Sequence, residues 1–275
     1  MLEKEAITDQ LGRKFKVDST PQRLVSLVPS ITELLAVGFR LEEQVVGVTD
    51  YCIHPASLLK NKMRLGGPKT IDVKKLQALA PQLVMASKEE NTREQVEAIA
   101  TFVPVYVTDV KTKASAFEAM LAIGTLLGQD LQASQIVAQI KSAFGTLLKI
   151  QKGPSAAYLI WKEPFMAVGA DTFINDMLFS AGFSNVFASH NSRYPVTSFN
   201  EIVSLHPKYL LLSSEPYPFS DEHKRWFNQQ LPDVKTILVD GEMFSWYGSR
   251  MLKSPAYFNK MFLQISLQSH TVLHL

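Results

Sequence analysis

Apolar and polar positions follow one pattern twice along this chain. From Val73, a short stretch with Leu76 and Leu79 at helical spacing stops at Pro81; the apolar run Leu83–Val84–Met85–Ala86 follows and Ser87–Lys88–Glu89 closes it. From Phe199, the same grammar returns with Ile202, Leu205, Pro207, the run Tyr209–Leu210–Leu211–Leu212 and Ser213–Ser214–Glu215. Leu79 and Leu205, Pro81 and Pro207, and Glu89 and Glu215 are each 126 positions apart. Proline cannot continue a helix, and a short apolar run bounded by turn residues reads as a buried strand. Two such units predict two lobes, with a cleft where they face each other, and clefts of that kind hold small ligands.

The remaining pattern fills in around these units. Residues 1–20 are polar, with a turn at Asp9 to Gly12, and read as a short hairpin or arm. Arg23–Val28 reads as a first buried strand, stopped by Pro29; Ser30 with Glu33 three residues on predicts a capping box opening a helix over 31–37, ended by Gly38. Val45–Val48 is a second strand, residues 51–70 a Gly- and Pro-rich connection, 91–101 a helix and Val103–Val107 a strand. Between 114 and 150, Phe117, Leu121, Leu127, Ile136, Ile140 and Leu147 recur at helical spacing, with Gly128 dividing the stretch. A helix of about 20 residues reaches about 30 Å, so this segment reads as the connector of the lobes. Beyond it lie strand Ala156–Trp161, a loop at Pro164, helix 172–181, the second repeat unit, helix 221–230, strand Thr236–Val239 and a helix over 255–268. Strands alternating with helices predict an α/β fold of two lobes, with mainly parallel sheets flanked by helices and joined by a long backbone helix. The expected division is an N-terminal lobe over 1–112, a helical connector over 113–152 and a C-terminal lobe over 153–275.

Composition narrows function mainly by exclusion. With 28 basic and 26 acidic residues the formal charge is +2, and no long basic run offers a footprint for nucleic acid. Cys52 is the only cysteine, so no intrachain disulfide can form. The opening Met1–Leu2–Glu3–Lys4–Glu5–Ala6 lacks the apolar core of a secretory signal, which on sequence alone reads as cytoplasmic. A leader removed ahead of the present start would leave the same sequence. No Gly-x-Ser-x-Gly elbow, Walker loop, His-Glu-x-x-His or Gly-x-Gly-x-x-Gly occurs, so no catalytic residue is expected; Glu89–Glu90 reads as a solvated pair. The six histidines, His54, His190, His206, His223, His270 and His274, share no short ligand spacing. No metal site is expected from them; His54 and His190 are the positions from which a direct ligand would come.

The runs Arg23–Leu24–Val25–Ser26–Leu27–Val28–Pro29–Ser30–Ile31–Thr32–Glu33–Leu34–Leu35 and Val46–Gly47–Val48–Thr49–Asp50–Tyr51, the Leu-x-x-Leu-x-Pro units and the helical bridge carry a family likeness. The chain resembles the cobalamin-type substrate-binding proteins, part of the periplasmic binding proteins with a helical backbone that serve ABC importers of vitamin B12, iron-siderophores and haem. The likeness runs from about residue 20 to 270. It implies a monomeric carrier with no intrinsic cofactor, a corrinoid held in the inter-lobe groove, a stiff hinge, and a periplasmic location. A haem or siderophore receptor of the same fold is the alternative, as is a cytosolic corrinoid carrier, sensor or accessory enzyme.

Loops after the strands supply the expected ligand contacts. Tyr51 matches a tyrosine of the B12-binding relatives, Phe165 an aromatic position, and Tyr194, in Ser192–Arg193–Tyr194–Pro195, a tryptophan. Trp246 and Tyr247 belong to the densest aromatic patch, and at least one is expected to face the groove. Trp161 reads equally as a strand-end core residue, so Trp246→Ala is expected to weaken binding more than Trp161→Ala. Rings suit a flat corrin, while Arg193, Arg250 and Lys69 suit its polar substituents, Arg250 bidentately; Arg250 reads alternatively as a helix cap or a partner of Glu242. Where those relatives carry two further tryptophans, this chain has Pro68 and Ser87, beside Lys69, Lys88, Glu89 and Glu90. The positions where relatives offer a permease one acidic residue per lobe are Lys74 and Asn200, with Asp72 and Glu201 near enough to compensate.

Overall fold

The computed structural model describes residues 7–17, 19–148 and 153–270. The opening residues 1–6, the end of the expected connector at 149–152, and His274 lie outside them. The chain forms two compact units. The first takes the chain up to Val110, then Ala114–Ile140 and Tyr247–Arg250; the second takes Lys111–Lys113, Lys141–Trp246 and the chain from Met251.

The first unit begins with a hairpin of β1 (Ile7–Thr8) and β2 (Lys14–Phe15), turned at Asp9 to Gly12 as the sequence indicates. Next come β3 (Leu24–Ser26), helix α1 (Pro29–Glu33) running into a π-turn over Leu34–Gly38, β4 (Val45–Val48), α2 (Ala56–Asn61) and β5 (Met63–Arg64). A small hairpin of β6 (Gly66–Gly67) and β7 (Thr70–Ile71) leads to α3 (Val73–Ala78), β8 (Leu83–Ser87), α4 (Arg93–Ala100) and β9 (Val105–Thr108). The sheet is parallel throughout, in the order β5-β4-β3-β8-β9. Its β9 edge is closed by the first hairpin: Arg13 donates to the Val105 carbonyl at 2.9 Å, and Asp9 accepts the Val107 amide at 3.2 Å. The same carboxylate raises the pKa of Tyr106, which burial has already lifted, to about 12.

The stretch expected as connector holds two helices, α5 (Lys113–Leu126) and α6 (Asp130–Phe144), broken at Gly128, whose φ of +66° suits glycine. They pack closely: a Cβ on Gly124 would lie 2.4 Å from that of Ala133. Most of both helices, Ala114–Ile140, belongs to the first unit. The expected boundaries at 112 and 152 therefore differ from the observed ones, and the second unit's sequence is interrupted by Tyr247–Arg250.

The second unit continues with β10 (Ser155–Trp161), β11 (Phe165–Ala167), α7 (Phe173–Ser180), β12 (Ser184–Asn185), β13 (Val196–Thr197), α8 (Phe199–Ser204), β14 (Tyr209–Ser213), α9 (Asp221–Gln230), β15 (Lys235–Val239), α10 (Glu242–Ser245) and α11 (Ser254–His270). Its strand order is β13-β11-β10-β14-β15 with β12 also on β10; β10, β12, β14 and β15 are parallel, β11 and β13 antiparallel.

The repeat is reproduced to the residue. α3 and α8, and β8 and β14, begin and end 126 positions apart. Both helices are capped alike: Asp72 accepts the Lys75 amide at 3.0 Å and Ser198 the Glu201 amide at 3.1 Å. Both chains then turn through the left-handed region, at Ala80 (φ 44°) and His206 (φ 45°). Leu76, Val84 and Ala86 enter the first core, and Ile202, Leu210 and Leu212 enter the second at matching positions. The capping box at Ser30 does not form. Pro29 takes the first helical position, for which its fixed φ and missing N–H suit it, and the helix starts two residues early, from Val28, without a side-chain cap. In residues 51–70, α2 and three two-residue strands, β5, β6 and β7, are too short to leave a periodic signal in what reads as connection.

Leu76→Ala and Ile202→Ala remove fully buried side chains at one repeat position. Each is expected to cost about 2–5 kcal/mol of stability, read as a lowered guanidinium midpoint. A loss under about 1 kcal/mol in either would contradict equivalent burial.

Candidate functional site

Loops gather at the carboxyl ends of the parallel strands, where ligands bind in open α/β sheets. In the first unit, the loop after β4 carries Tyr51, 62% exposed despite its size. The loop is held from below. Cys52 is fully buried, and its Sγ lies 3.1 Å from both Thr32 Oγ1 and Thr49 Oγ1. Burial pushes the thiol pKa up, so it stays protonated and acts in packing. Beside the ring lies the β6–β7 hairpin: Asp50 donates to the Gly66 carbonyl at 2.9 Å, and a Cβ on Gly67 would sit 3.6 Å from Tyr51 Cε2. Asn91 ties the hairpin to the end of β8, donating to Pro68 O at 3.0 Å while accepting the Ser87 amide at 2.9 Å. Lys69 is exposed on the hairpin tip. Lys88 forms an ion pair with Asp109 at 2.9 Å.

Tyr247 and Arg250 occupy the same unit differently from expectation. Both are buried. Tyr247 Oη lies 2.8 Å from Thr108 Oγ1, and burial pushes its phenol pKa up. Arg250 Nε donates to Glu33 Oε2 at 2.8 Å, with both side chains under 8% exposed. Glu33, read from sequence as part of a capping box, is thus a partner of Arg250. The turn between them needs Gly248: its φ is +96°, and an added Cβ would press Leu34 at 3.3 Å. These residues clasp the core, and a bidentate ligand role for Arg250 is not what this geometry offers.

In the second unit, Phe165 opens β11 half-buried, its ring 5.5 Å from that of Phe227. Trp161 ends β10 with 39% exposure and stands edge-on to Tyr217 at 5.7 Å. Arg193 Nε donates to the Asp171 carbonyl at 2.7 Å and its guanidinium lies 5.9 Å from the half-buried Tyr194 ring. Asp171 also receives Lys111 at 2.8 Å. Trp246 is only 6% exposed; its Nε1–H donates to Glu215 Oε1 at 3.0 Å. Ser245 donates to the same oxygen, and burial raises the Glu215 pKa. The expectation that Trp246 outranks Trp161 as a ligand ring therefore meets an inverted exposure. Glu215 was missed as a site organiser, although the repeat marks it: Ser87 and Ser213 accept the amides of Glu89 and Glu215 at 3.1 and 3.3 Å.

His190 stacks near Phe187 and lies 3.5 Å from Glu201, while His54 is half-buried ahead of Pro55. Among the described residues no three His, Cys, Asp or Glu side chains converge to hold a metal, and no helix is long and apolar enough to cross a membrane. Lys74 and Asn200 are exposed at the second position of α3 and α8. Their neighbours are committed elsewhere: Asp72 caps α3, and Glu201 accepts the Thr197 hydroxyl at 2.7 Å.

The sequence profile of the family described as periplasmic binding protein matches residues 24–234. A vitamin B12-binding protein of Pectobacterium carotovorum subsp. carotovorum is 24% identical over 238 residues, covering 84% of this chain and 85% of its own. An uncharacterized ABC transporter substrate-binding lipoprotein of Bacillus subtilis, YvrC, is 28% identical over 214 residues, 73% of this chain and 66% of that protein. The periplasmic haem-binding protein RhuT of Roseiflexus sp. RS-1, in its apo form, shares the fold with a TM-score of 0.74 and 19% identity, covering 88% of this chain and 97% of that one.

Arg250→Ala strands the buried Glu33 carboxylate and is expected to cost about 3–5 kcal/mol by chemical denaturation. An unchanged midpoint with weakened ligand binding would restore Arg250 as a ligand contact. Glu215 gives a pH signature. A carboxyl whose folded pKa is raised adds stability that is whole below its unfolded pKa, about 4.3, and is lost as pH rises through the folded one. Glu215→Gln should therefore gain on the parent protein in thermal melts run from about pH 4 to pH 8. Parallel curves for the two proteins would contradict the raised pKa.

Proposed function

Because the chain belongs to the periplasmic binding protein family, we propose that it is a substrate-binding protein that holds a corrinoid of the cobalamin type and delivers it to an ABC permease. Binding is its whole activity in this reading, and its place of work is outside the cytoplasmic membrane. The observation that carries the reading is Tyr51: a large ring left 62% exposed on a loop braced by a buried cysteine and a glycine hairpin. An exposed aromatic on rigid support is suited to stacking on a flat ligand, at about 0.5–1.5 kcal/mol beyond the area it covers. Phe165 and Tyr194 are the proposed ring contacts of the second unit. The proposed polar contacts are Arg193 of the second unit, already steadied by Asp171, and the exposed Lys69 of the first, with Trp246, Tyr247 and Arg250 supporting the loops from within.

The B12-binding relative supports a corrinoid as the cargo. A second reading is haem, or a ferric siderophore: Lys69, exposed beside Tyr51, also suits a ligand that carries carboxylates. The permease proposed as partner would meet Lys74 and Asn200 on α3 and α8 and so need not offer arginines at the matching places.

Calorimetric titration with cyanocobalamin, haem and a ferric siderophore separates these readings. Saturable one-to-one binding of the corrinoid alone is expected, with Tyr51→Ala and Phe165→Ala each weakening it about tenfold, or about 1.4 kcal/mol. Binding of haem or the siderophore in its place would reject the corrinoid and leave the family assignment standing.

A further inference from the structure

Helix α9 and the turn from β10 to β11 flank a half-open pocket of about 670 Å³ within the second unit. Its volume lies within the range of small-molecule pockets, about 300–1,000 Å³. Three rings line it. Phe227, 1% exposed, forms the base, 5.5 Å from Phe165 and 4.8 Å from Trp226. Trp226 is steadied on its other side by Phe199 at 5.7 Å, yet stays 44% exposed. Thr197, Glu222, His223 and the ion pair of Lys162 and Glu163 at 3.4 Å add polar groups to the lining. The tautomer of His223 follows from its bonds: Nδ1 accepts the Ser220 amide at 3.0 Å, which leaves the proton on Nε2, 3.2 Å from Tyr217 Oη. Among the described residues the first unit has no counterpart to the hairpin that forms one wall, because there the neighbour of the first sheet strand is the parallel β4, while in the second it is the antiparallel β11.

Apolar ring faces with a few polar groups around them match a flat ring that carries nitrogen, better than they match an aliphatic chain or a strongly charged group. We infer that this cavity is a subsite for a planar nitrogen heteroaromatic group of one or two fused rings. The inference rests on the corrinoid reading in one respect: such a group is the base that a complete corrinoid carries on its nucleotide side arm. The chain would then distinguish complete corrinoids from those lacking the base, with Trp226 as the specificity-determining wall.

The test uses free benzimidazole, cyanocobalamin and cobinamide, each titrated calorimetrically into the parent protein, Trp226→Ala and Trp226→Phe. Saturable benzimidazole binding that is lost in Trp226→Ala and kept in Trp226→Phe is expected. Cyanocobalamin should bind about tenfold or more tightly than cobinamide, and Trp226→Ala should erase that ratio without changing cobinamide binding. Benzimidazole binding without any corrinoid binding would keep the cavity and reject the corrinoid as cargo. Equal affinities for the two corrinoids, or a ratio and benzimidazole binding that Trp226→Ala leaves intact, would overturn the inference.

Discussion

The buried ion pair of Glu33 and Arg250 is the constraint on which the first unit's organisation turns. Both groups are sealed from water, and desolvating them costs several kcal/mol each unless the pair and its surroundings are well formed. Forming it requires a segment more than 200 residues downstream, so Tyr247–Arg250 belongs to the first unit although the chain around it belongs to the second. Gly248 supplies the turn and Tyr247 anchors to Thr108 at the end of β9. The clasp thus reaches the carboxyl ends of the strands where the exposed loops are arrayed, and it holds an arginine and a tyrosine in the interior.

The repeat works as a shared frame with different fittings. In both units a capped helix, a left-handed residue before proline and an inward-facing strand place a Ser-x-Glu turn at the carboxyl edge. In the second, the glutamate takes hydrogen bonds from Ser245 and Trp246 and becomes an organiser of its loops. In the first, the edge is braced by Cys52 and Asn91, with Tyr51 left exposed above. Small changes of local chemistry on one frame therefore yield two surfaces with unlike charge and ring content.

Much of the fold could be read directly because it rests on local rules. β4 and α9 match their expected spans, and the first hairpin turns where Asp9 and Gly12 place it. Tyr51 is exposed on the loop after β4, as a ring-bearing loop after a strand should be, whereas Phe165, expected on a loop, opens β11. What escaped was of two kinds. Elements of two to six residues, such as α2 and β5, carry too few positions to show a period. Long-range polar partners leave no local trace: Ser30 and Glu33 spell a capping box, and only Pro29 at the first turn and Arg250 from far downstream show why it is not used.

The sequence by itself determined the two-unit α/β plan, the 126-residue repeat and the face of each repeat strand that enters a core, since helical and strand periodicities and proline stops depend on neighbours only a few positions away. Tertiary structure alone decided which aromatics are exposed and which charges are paired in the interior. Trp246 and Trp161 are indistinguishable as loop-flanking tryptophans until packing buries one against Glu215 and leaves the other at the surface. Burial of a particular side chain is a sum over contacts from distant segments, and such a sum is not written in any window of the chain.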